Sequence, residues 1–140
     1  MPLPTHIQLQ IVSADRSLVN EQVDEVEIPG ADGYFGVLPG HTPLLALLGA
    51  GELWYRQGQD KHYLMLAFGF AEVQPDRVTI LAETAERPDE IDLARAEAAR
   101  KRAEQRLAAP AIDMDAERAR ISLLKSLIRI QVAARARSRA

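Results

Sequence analysis

Cysteine is absent from the 140 residues of this chain. Its absence excludes disulfides, thiolate metal sites and a cysteine nucleophile, and it fits a reducing compartment. No apolar run approaches the roughly 20 residues that a membrane-spanning helix needs. The first residues, MPLPTHIQLQIV, contain no basic segment followed by an unbroken apolar core, so we expect no secretory signal. The sequence therefore predicts a cytoplasmic protein with no direct membrane insertion.

Catalytic motifs are missing too. The sequence contains no G-x-S-x-G, no H-E-x-x-H and no glycine-rich loop that ends in Gly-Lys-Ser/Thr. His6, His41 and His62 are scattered, and their spacing is not that of metal ligands. Aromatic residues make up 5% of the chain, which disfavours a carbohydrate-handling enzyme with stacked sugar rings. We expect no enzyme activity of the chain itself, no metal and no required cofactor.

Basic residues are few in the first part of the chain, and the net charge changes sign in the second part. Residues 1–88 hold five basic and twelve acidic residues, whereas residues 89–140 hold twelve basic and eight acidic residues. From Arg118 onward there are seven basic residues and no acidic residue. A change in charge at the same place as a change in composition indicates two units, here residues 1–88 and 89–140.

The first unit has the pattern of short strands. Apolar and polar residues alternate in His6–Val12 and in Asp24–Ile28, as expected for strands with one solvated face. Further strands are predicted with turns at Gly58, Gly69 and Pro75-Asp76. These strands are Tyr34–Leu38, Leu44–Leu48, Leu53–Gln57, Lys61–Ala67, Ala71–Gln74 and Arg77–Leu81. Many short, closely spaced strands favour an antiparallel β-sandwich.

The second unit has helical composition. Proline and glycine are absent between Pro88 and Pro110, where Ala, Arg and Glu dominate. Asp89 is the expected N-cap of a first helix, with Asp92 in its first turn. After a break at Pro110, Asp113 or Asp115 would cap a second helix that runs to about Ala136. Two helices joined by so short a loop form an antiparallel hairpin, so the fold class is α+β.

The predicted hairpin has a thin core. The first helix offers mainly alanine methyl groups, whereas the second offers leucine, isoleucine and valine over a wide arc. One helix therefore cannot cover the apolar surface of the other. We expect the second helix to use another surface, either the sandwich or a partner protein.

The stretch Gly33–Leu45, GYFGVLPGHTPLL, fixes the backbone with three glycines and two prolines. Gly33 and Gly36 permit positive φ, and Leu38-Pro39-Gly40-His41 suits a type II turn, with proline second and glycine third. On the residues alone, Tyr34 and His41 are either exposed hairpin residues or contacts for a partner.

Three stretches together resemble a known family, the epsilon subunit of bacterial F-type ATP synthases. They are GYFGVLPGHTPLL, which fits the family signature G-x-x-G-[IV]-x-P-G-H-x-P-[LM], then GFAEVQPDRVTILAETAE at Gly69–Glu86 and IDLARA at Ile91–Ala96. The resemblance implies that this edge of the sandwich docks on the ring of c subunits and on the gamma subunit. Asp32, Tyr34 and His41 become the contact candidates, although family members often carry an acid where this chain has Tyr34.

A second candidate site involves the first helix. Arg95 and Arg102 are two turns apart and share one face, and paired guanidinium groups suit phosphate oxygens. On spacing alone, Asp92 and Arg95 are better explained as an exposed i,i+3 pair. The resemblance to ATP-binding relatives implies a regulatory ATP instead. The residues that it implies are Glu86, Asp92, Arg95, Arg102, Lys125 and Arg129, with Lys125 standing where those relatives have arginine.

The basic second helix has three interpretations: a solvated face, a nucleic-acid surface or a surface for an acidic partner protein. Nucleic-acid binding is disfavoured because the chain is acidic overall and this helix lacks aromatic residues. In the family, the extended helix inserts between gamma and the catalytic alpha/beta ring and meets an acidic beta-subunit segment. The inhibitory contacts that this implies are Arg118, Arg120, Lys125 and Arg129.

The resemblance implies a non-catalytic rotor subunit on the cytoplasmic face of the bacterial plasma membrane. Its sandwich would couple the c ring to ATP synthesis, and its helices would inhibit ATP hydrolysis. The alternative function is a stand-alone module that senses ATP.

Overall fold

The computed structural model describes residues 3–138, which form two compact units. The first unit ends at Glu86 and the second begins at Arg87. The first is built from strands and the second from helices. This division confirms the predicted α+β class.

Seven strands form one hydrogen-bonded sheet in the order β2-β1-β7-β6-β5-β3-β4. All neighbouring strands are antiparallel except β1 and β7, which are parallel. The strands are β1 (Ile7–Ser13), β2 (Ser17–Val23), β3 (Glu25–Gly30), β4 (Gly33–Val37), β5 (Leu44–Gln57), β6 (Asp60–Gln74) and β7 (Arg77–Glu86).

The sheet folds over on itself to make the sandwich. Buried side chains from all seven strands belong to one hydrophobic core. In a flat sheet the outermost strands would be about 29 Å apart, at about 4.8 Å per strand, and could not share a core. The Gln57 side chain also donates to the Gln22 carbonyl oxygen at 3.0 Å, although four steps in the strand order separate β5 from β2. The predicted sandwich is therefore correct.

Asp24 helps to close the seam where β2 and β5 approach each other. Its carboxylate accepts from the Gly58 amide at 2.7 Å and lies 3.1 Å from Nδ1 of His6. Its own amide donates to the Arg56 carbonyl oxygen at 2.8 Å. The hydrogen bond from Gly58, with a smaller contribution from His6, lowers the pKa of the Asp24 carboxyl below its usual value. The ionised form is thus the one that suits the seam.

Several predicted strand boundaries are wrong. Strand β2 was not predicted, because buried Leu18 and Val19 are adjacent and break the alternation of strand residues. The two segments Leu44–Leu48 and Leu53–Gln57 are one strand, β5, and Lys61–Ala67 and Ala71–Gln74 are one strand, β6. The turn predicted at Gly69 is absent, whereas those at Gly58 and Pro75-Asp76 are present.

The three long strands turn a corner where they pass from one layer of the sandwich to the other. Along each of them, the nearest members of the hydrophobic core on either side of the corner are an odd number of positions apart, so opposite sides of the strand face the core. These residues are Leu48 and Leu53 in β5, Leu66 and Ala71 in β6, and Ala82 and Ala85 in β7.

Gly69 makes the corner possible in β6, the middle strand of the three. Phe68 and Gly69 both have positive φ, at 63° and 121°. A side chain at Gly69 would also overlap the carbonyl oxygen of Leu81 on β7. Only glycine satisfies both constraints at this position.

The second unit contains a 3-10 turn at Pro88–Glu90, α1 at Leu93–Ala108 and α2 at Ala116–Ser138. The N-cap of α1 is Asp92, whose carboxylate accepts from the Arg95 amide at 3.1 Å, so the predicted cap at Asp89 is wrong. Asp89 lies in the 3-10 turn instead. Asp115 accepts from the Arg118 amide at 3.0 Å at the start of α2, which decides between the two predicted caps.

The two helices pack together as the predicted hairpin, and α2 returns to the 3-10 turn that precedes α1. Alanines Ala96 and Ala103 are the buried residues of α1. Leu124 and Leu127 of α2 stay more than 40% exposed. As expected from the sequence, α1 does not cover the whole apolar arc of α2.

We expect Gly69→Ala to lower the free energy of unfolding by about 2 kcal/mol or more, because it adds a methyl group at positive φ and against a carbonyl oxygen. Gly36→Ala is the matched control, since its methyl group would meet no atom within 4 Å and φ is not positive. Urea denaturation followed by Trp54 fluorescence measures both. Equal stability of the two variants would contradict the role given to Gly69.

Candidate functional site

The turn at Leu38–His41 has the predicted type II geometry. The His41 amide donates to the Leu38 carbonyl oxygen at 3.2 Å, and Gly40 has φ of 89°. The Gly40 amide donates to the Pro75 carbonyl oxygen at 2.7 Å, which ties this turn to the turn between β6 and β7. The backbone of this edge of the sandwich is therefore held at two points.

Gly33 and Gly36 both permit positive φ, and of these two glycines only Gly33 adopts it. Gly33 has φ of 133°, at the start of β4, whereas Gly36 is not in the left-handed region. Gly36 is an exposed residue inside strand β4, where an extended backbone suits any residue.

The three contact candidates lie in consecutive elements: Asp32 in the turn before β4, Tyr34 on β4 and His41 in the loop after it. Asp32 is exposed in the turn between β3 and β4, and Tyr34 is 56% exposed on β4. Both line a groove of about 620 Å³ that is also lined by residues 44–47 of β5. His41 is half-buried outside that lining, and its Nδ1 donates to the Thr42 carbonyl oxygen at 2.6 Å. The structure thus brings Asp32 and Tyr34 together and leaves His41 apart.

An exposed apolar row crosses the outer face of the sandwich beside this groove. Leu47, Phe70 and Leu81 are directly paired across β5, β6 and β7, and they are 60%, 51% and 55% exposed. Leu45 extends the row along β5. The sequence reasoning missed this surface. The signal was available in LLALL at residues 44–48, where apolar residues occupy both faces of one strand.

The residues of the implied ATP site are divided between the two units. Glu86 is the last residue of β7 in the first unit, and the other five lie in the second. The Asp92 carboxylate is used as the α1 cap, which replaces the predicted side-chain pair with Arg95. Arg95 and Arg102 are exposed on α1, whereas Lys125 and Arg129 are half-buried on α2.

The basic residues of α2 have different environments. Arg118 is exposed at the start of the helix, and Arg120 pairs with Glu117 at 3.0 Å. An exposed i,i+3 pair of this kind contributes at most a few tenths of a kcal/mol, so Arg120 is easily released.

Two further observations concern the described residues 3–138. They contain no cluster of three or more His, Asp or Glu residues that could hold a metal ion. None of their helices is both long enough and apolar enough to span a membrane.

Two family models match consecutive parts of the chain. Residues 6–88 match the β-sandwich domain of the ATP synthase delta/epsilon chain, and residues 89–134 match its long α-helix domain. The chain belongs to the ATP synthase delta/epsilon family. Together the two matches account for both units.

Curated relatives carry the name ATP synthase epsilon chain. The protein of Koribacter versatilis is 55% identical over 71% of this chain and 70% of its own length. Epsilon chain 2 of Syntrophotalea carbinolica is 49% identical over 92% of this chain and 94% of its own. These names confirm the resemblance to the epsilon subunit and its interpretation as a non-catalytic subunit of the central stalk.

Solved structures show the same fold. A chain in the Euglena gracilis mitochondrial ATP synthase, OSCP/F1/c-ring, has a TM-score of 0.81 and 26% identity, covering 96% of this chain and 84% of that one. A chain in the central stalk/c-ring of the Tetrahymena thermophila mitochondrial ATP synthase has a TM-score of 0.57 at 12% identity, which shows the fold alone. Both structures are parts of ATP synthase complexes, and the first of them covers nearly the whole of this chain.

We expect Asp92→Ala to destabilise the helical unit by about 1 kcal/mol, because the first turn of α1 loses its capping carboxylate. Asp92→Asn should keep most of that stability, since asparagine caps equally well. Asp89→Ala removes a neighbouring exposed acid and is the matched control. Thermal denaturation followed by circular dichroism at 222 nm compares the four proteins. Equal losses for Asp92→Ala and Asp89→Ala would contradict the cap assignment.

Proposed function

We propose that this chain is a rotor subunit that couples proton translocation through the c ring to ATP synthesis and inhibits ATP hydrolysis through its helices. The observation that carries the proposal is the exposed apolar row Leu47, Phe70 and Leu81 on a rigid sandwich. Contiguous exposed apolar surface on a folded domain is typical of a protein interface.

The sandwich is the attachment element of this rotor. Its apolar row would bind the gamma subunit, while the adjoining groove with Asp32 would face the c ring. Asp32 is the charged residue in the groove lining, so a basic loop of the partner suits it. His41, on the neighbouring turn, would contact the partner from the side.

The hairpin is the inhibitory element. Leu124 and Leu127 expose apolar surface on α2, and Arg118 presents a charge at the start of the same helix. A partner with an apolar groove and acidic residues would satisfy both features. We assign this partner to the catalytic alpha/beta ring, where Arg120, Lys125 and Arg129 would add further basic contacts. The complex would hold the chain at the cytoplasmic face of the bacterial plasma membrane, as a peripheral component.

Removal of residues 89–140 tests the division of roles. We expect the remaining sandwich to fold, to assemble with gamma and the c ring, and to give a complex with a higher ATPase rate than the full chain. The reason is that the attachment surface is retained while the inhibitory helices are lost. Co-purification measures assembly, and a coupled ATPase assay measures the rate. An unchanged rate in an assembled complex would overturn the inhibitory role.

Phe70→Glu in the full chain is the complementary control. It places a charge in the middle of the apolar row without touching either helix, so it should weaken assembly with gamma. Normal co-purification of this variant would count against the apolar row as the attachment surface.

A second candidate function is regulatory ATP binding by the helical unit. The guanidinium groups of Arg95 and Arg102 are exposed, and the described residues provide no ion-pair partner for either. The two residues are about 10 Å apart along one face of α1, which flexible side chains can span to hold one polyphosphate. Glu86, Asp92, Lys125 and Arg129 complete the set that we propose for this ligand.

Calorimetry with ATP on the purified full chain tests this candidate. We expect measurable heat with the full chain and at least a tenfold weaker affinity for Arg95→Ala, because one of two phosphate-binding groups is lost. Lys101→Ala is the matched control, since it removes the same charge from another face of α1. Absence of heat at millimolar ATP would remove the sensor function and leave the stalk role unaffected.

A further inference from the structure

The pairing of β3 with β5 is interrupted. Glu27 pairs with Trp54 and Gly30 pairs with Leu48, so Ile28 and Pro29 of β3 lie opposite residues 49–53 of β5. The two strands cannot form a regular ladder where two residues of one strand lie opposite five residues of the other. Proline also offers no amide hydrogen to the ladder. Backbone groups of β5 in this interval therefore need partners from elsewhere.

Tyr34 supplies one of those partners from a different strand. It lies on β4 and is paired with Pro29, so β3 separates it from β5 in the sheet. Its hydroxyl oxygen nevertheless accepts a hydrogen bond from the Glu52 amide of β5 at 3.1 Å. The tyrosine side chain thus crosses β3 and replaces the missing ladder acceptor.

Gly51 provides the space for this crossing. A side chain at position 51 would collide with the Tyr34 hydroxyl and with the ring of Pro29. The glycine at this position and the hydrogen bond to the next residue, Glu52, are two features of one arrangement. Both indicate that the tyrosine hydroxyl belongs to the fold even though the ring is half exposed.

We propose that Tyr34 is a positioning residue: its side chain braces the β3–β4 hairpin across β3 onto β5 and so fixes the turn that carries Asp32. The hairpin forms one edge of the sheet, where β4 has a neighbour on one side only. A brace to the second strand inward holds such an edge better than its own ladder alone. The importance of holding Asp32 in place rests on the docking role proposed above. The hydrogen bond from the Glu52 amide to Tyr34 does not depend on that role.

Amide hydrogen exchange of the full chain, measured by NMR, tests the brace without any partner. Tyr34→Phe keeps the ring and removes the acceptor, so we expect the Glu52 amide to exchange about five- to tenfold faster. The amides of Leu64 and Ile80, in the core strands, should keep their rates. An unchanged Glu52 rate, or an equal acceleration at all three amides, would overturn the proposal.

Asp32→Asn is the matched control, because it alters the same hairpin without touching the bond to Glu52. We expect it to leave the Glu52 exchange rate unchanged. Acceleration at Glu52 in this variant would show that any change in the hairpin loosens β5, and it would overturn the specific role of Tyr34.

A double-mutant cycle tests the link to Asp32. Assembly of the full chain with gamma and the c ring is titrated for Tyr34→Phe, Asp32→Asn and the double variant. If Tyr34 acts by positioning Asp32, the double variant binds no more weakly than Asp32→Asn alone. Additive losses would overturn the link and assign Tyr34 an independent contact. If Asp32→Asn assembles normally, the docking role of Asp32 fails while the exchange result stands.

Discussion

The corner in β5, β6 and β7 is the constraint on which the rest of the sandwich depends. Because these three strands pass from one layer to the other, a single sheet encloses the core, and the chain needs no second sheet. The corner requires positive φ at Phe68 and Gly69 and close contact between β6 and β7. At the corner, Leu47, Phe70 and Leu81 all face outward. The same bend therefore encloses the core and exposes the apolar row.

The sequence predicted those parts of the fold that depend on local chemistry. Alternation located β1 and β3, and Pro39-Gly40 specified the type II turn. Strand β2 was missed because its pairing with β1 slips near Val12 and its buried residues do not alternate. Gly69 is predicted as a turn because glycine readily adopts positive φ, which turns often require. A corner within a strand requires the same φ, so the sequence does not distinguish the two.

The candidate site was predictable to a smaller extent. Asp89 and Asp92 are close in sequence, and either could cap a helix that follows Pro88. The structure places Asp89 in the 3-10 turn, so the helix begins later and Asp92 is its N-cap. The bond between Tyr34 and Glu52 joins residues 18 positions apart through a tyrosine that reaches across a strand. No local pattern encodes such a contact.

The continuity of the sheet has a mechanical consequence. In a sandwich of two separate sheets, a sideways load on one layer is resisted by side chains that can slide past one another. Here the covalent backbones of three adjacent strands run through both layers. A twisting load applied to one outer face therefore reaches the other through peptide bonds and hydrogen-bonded ladders, with little slip between the layers.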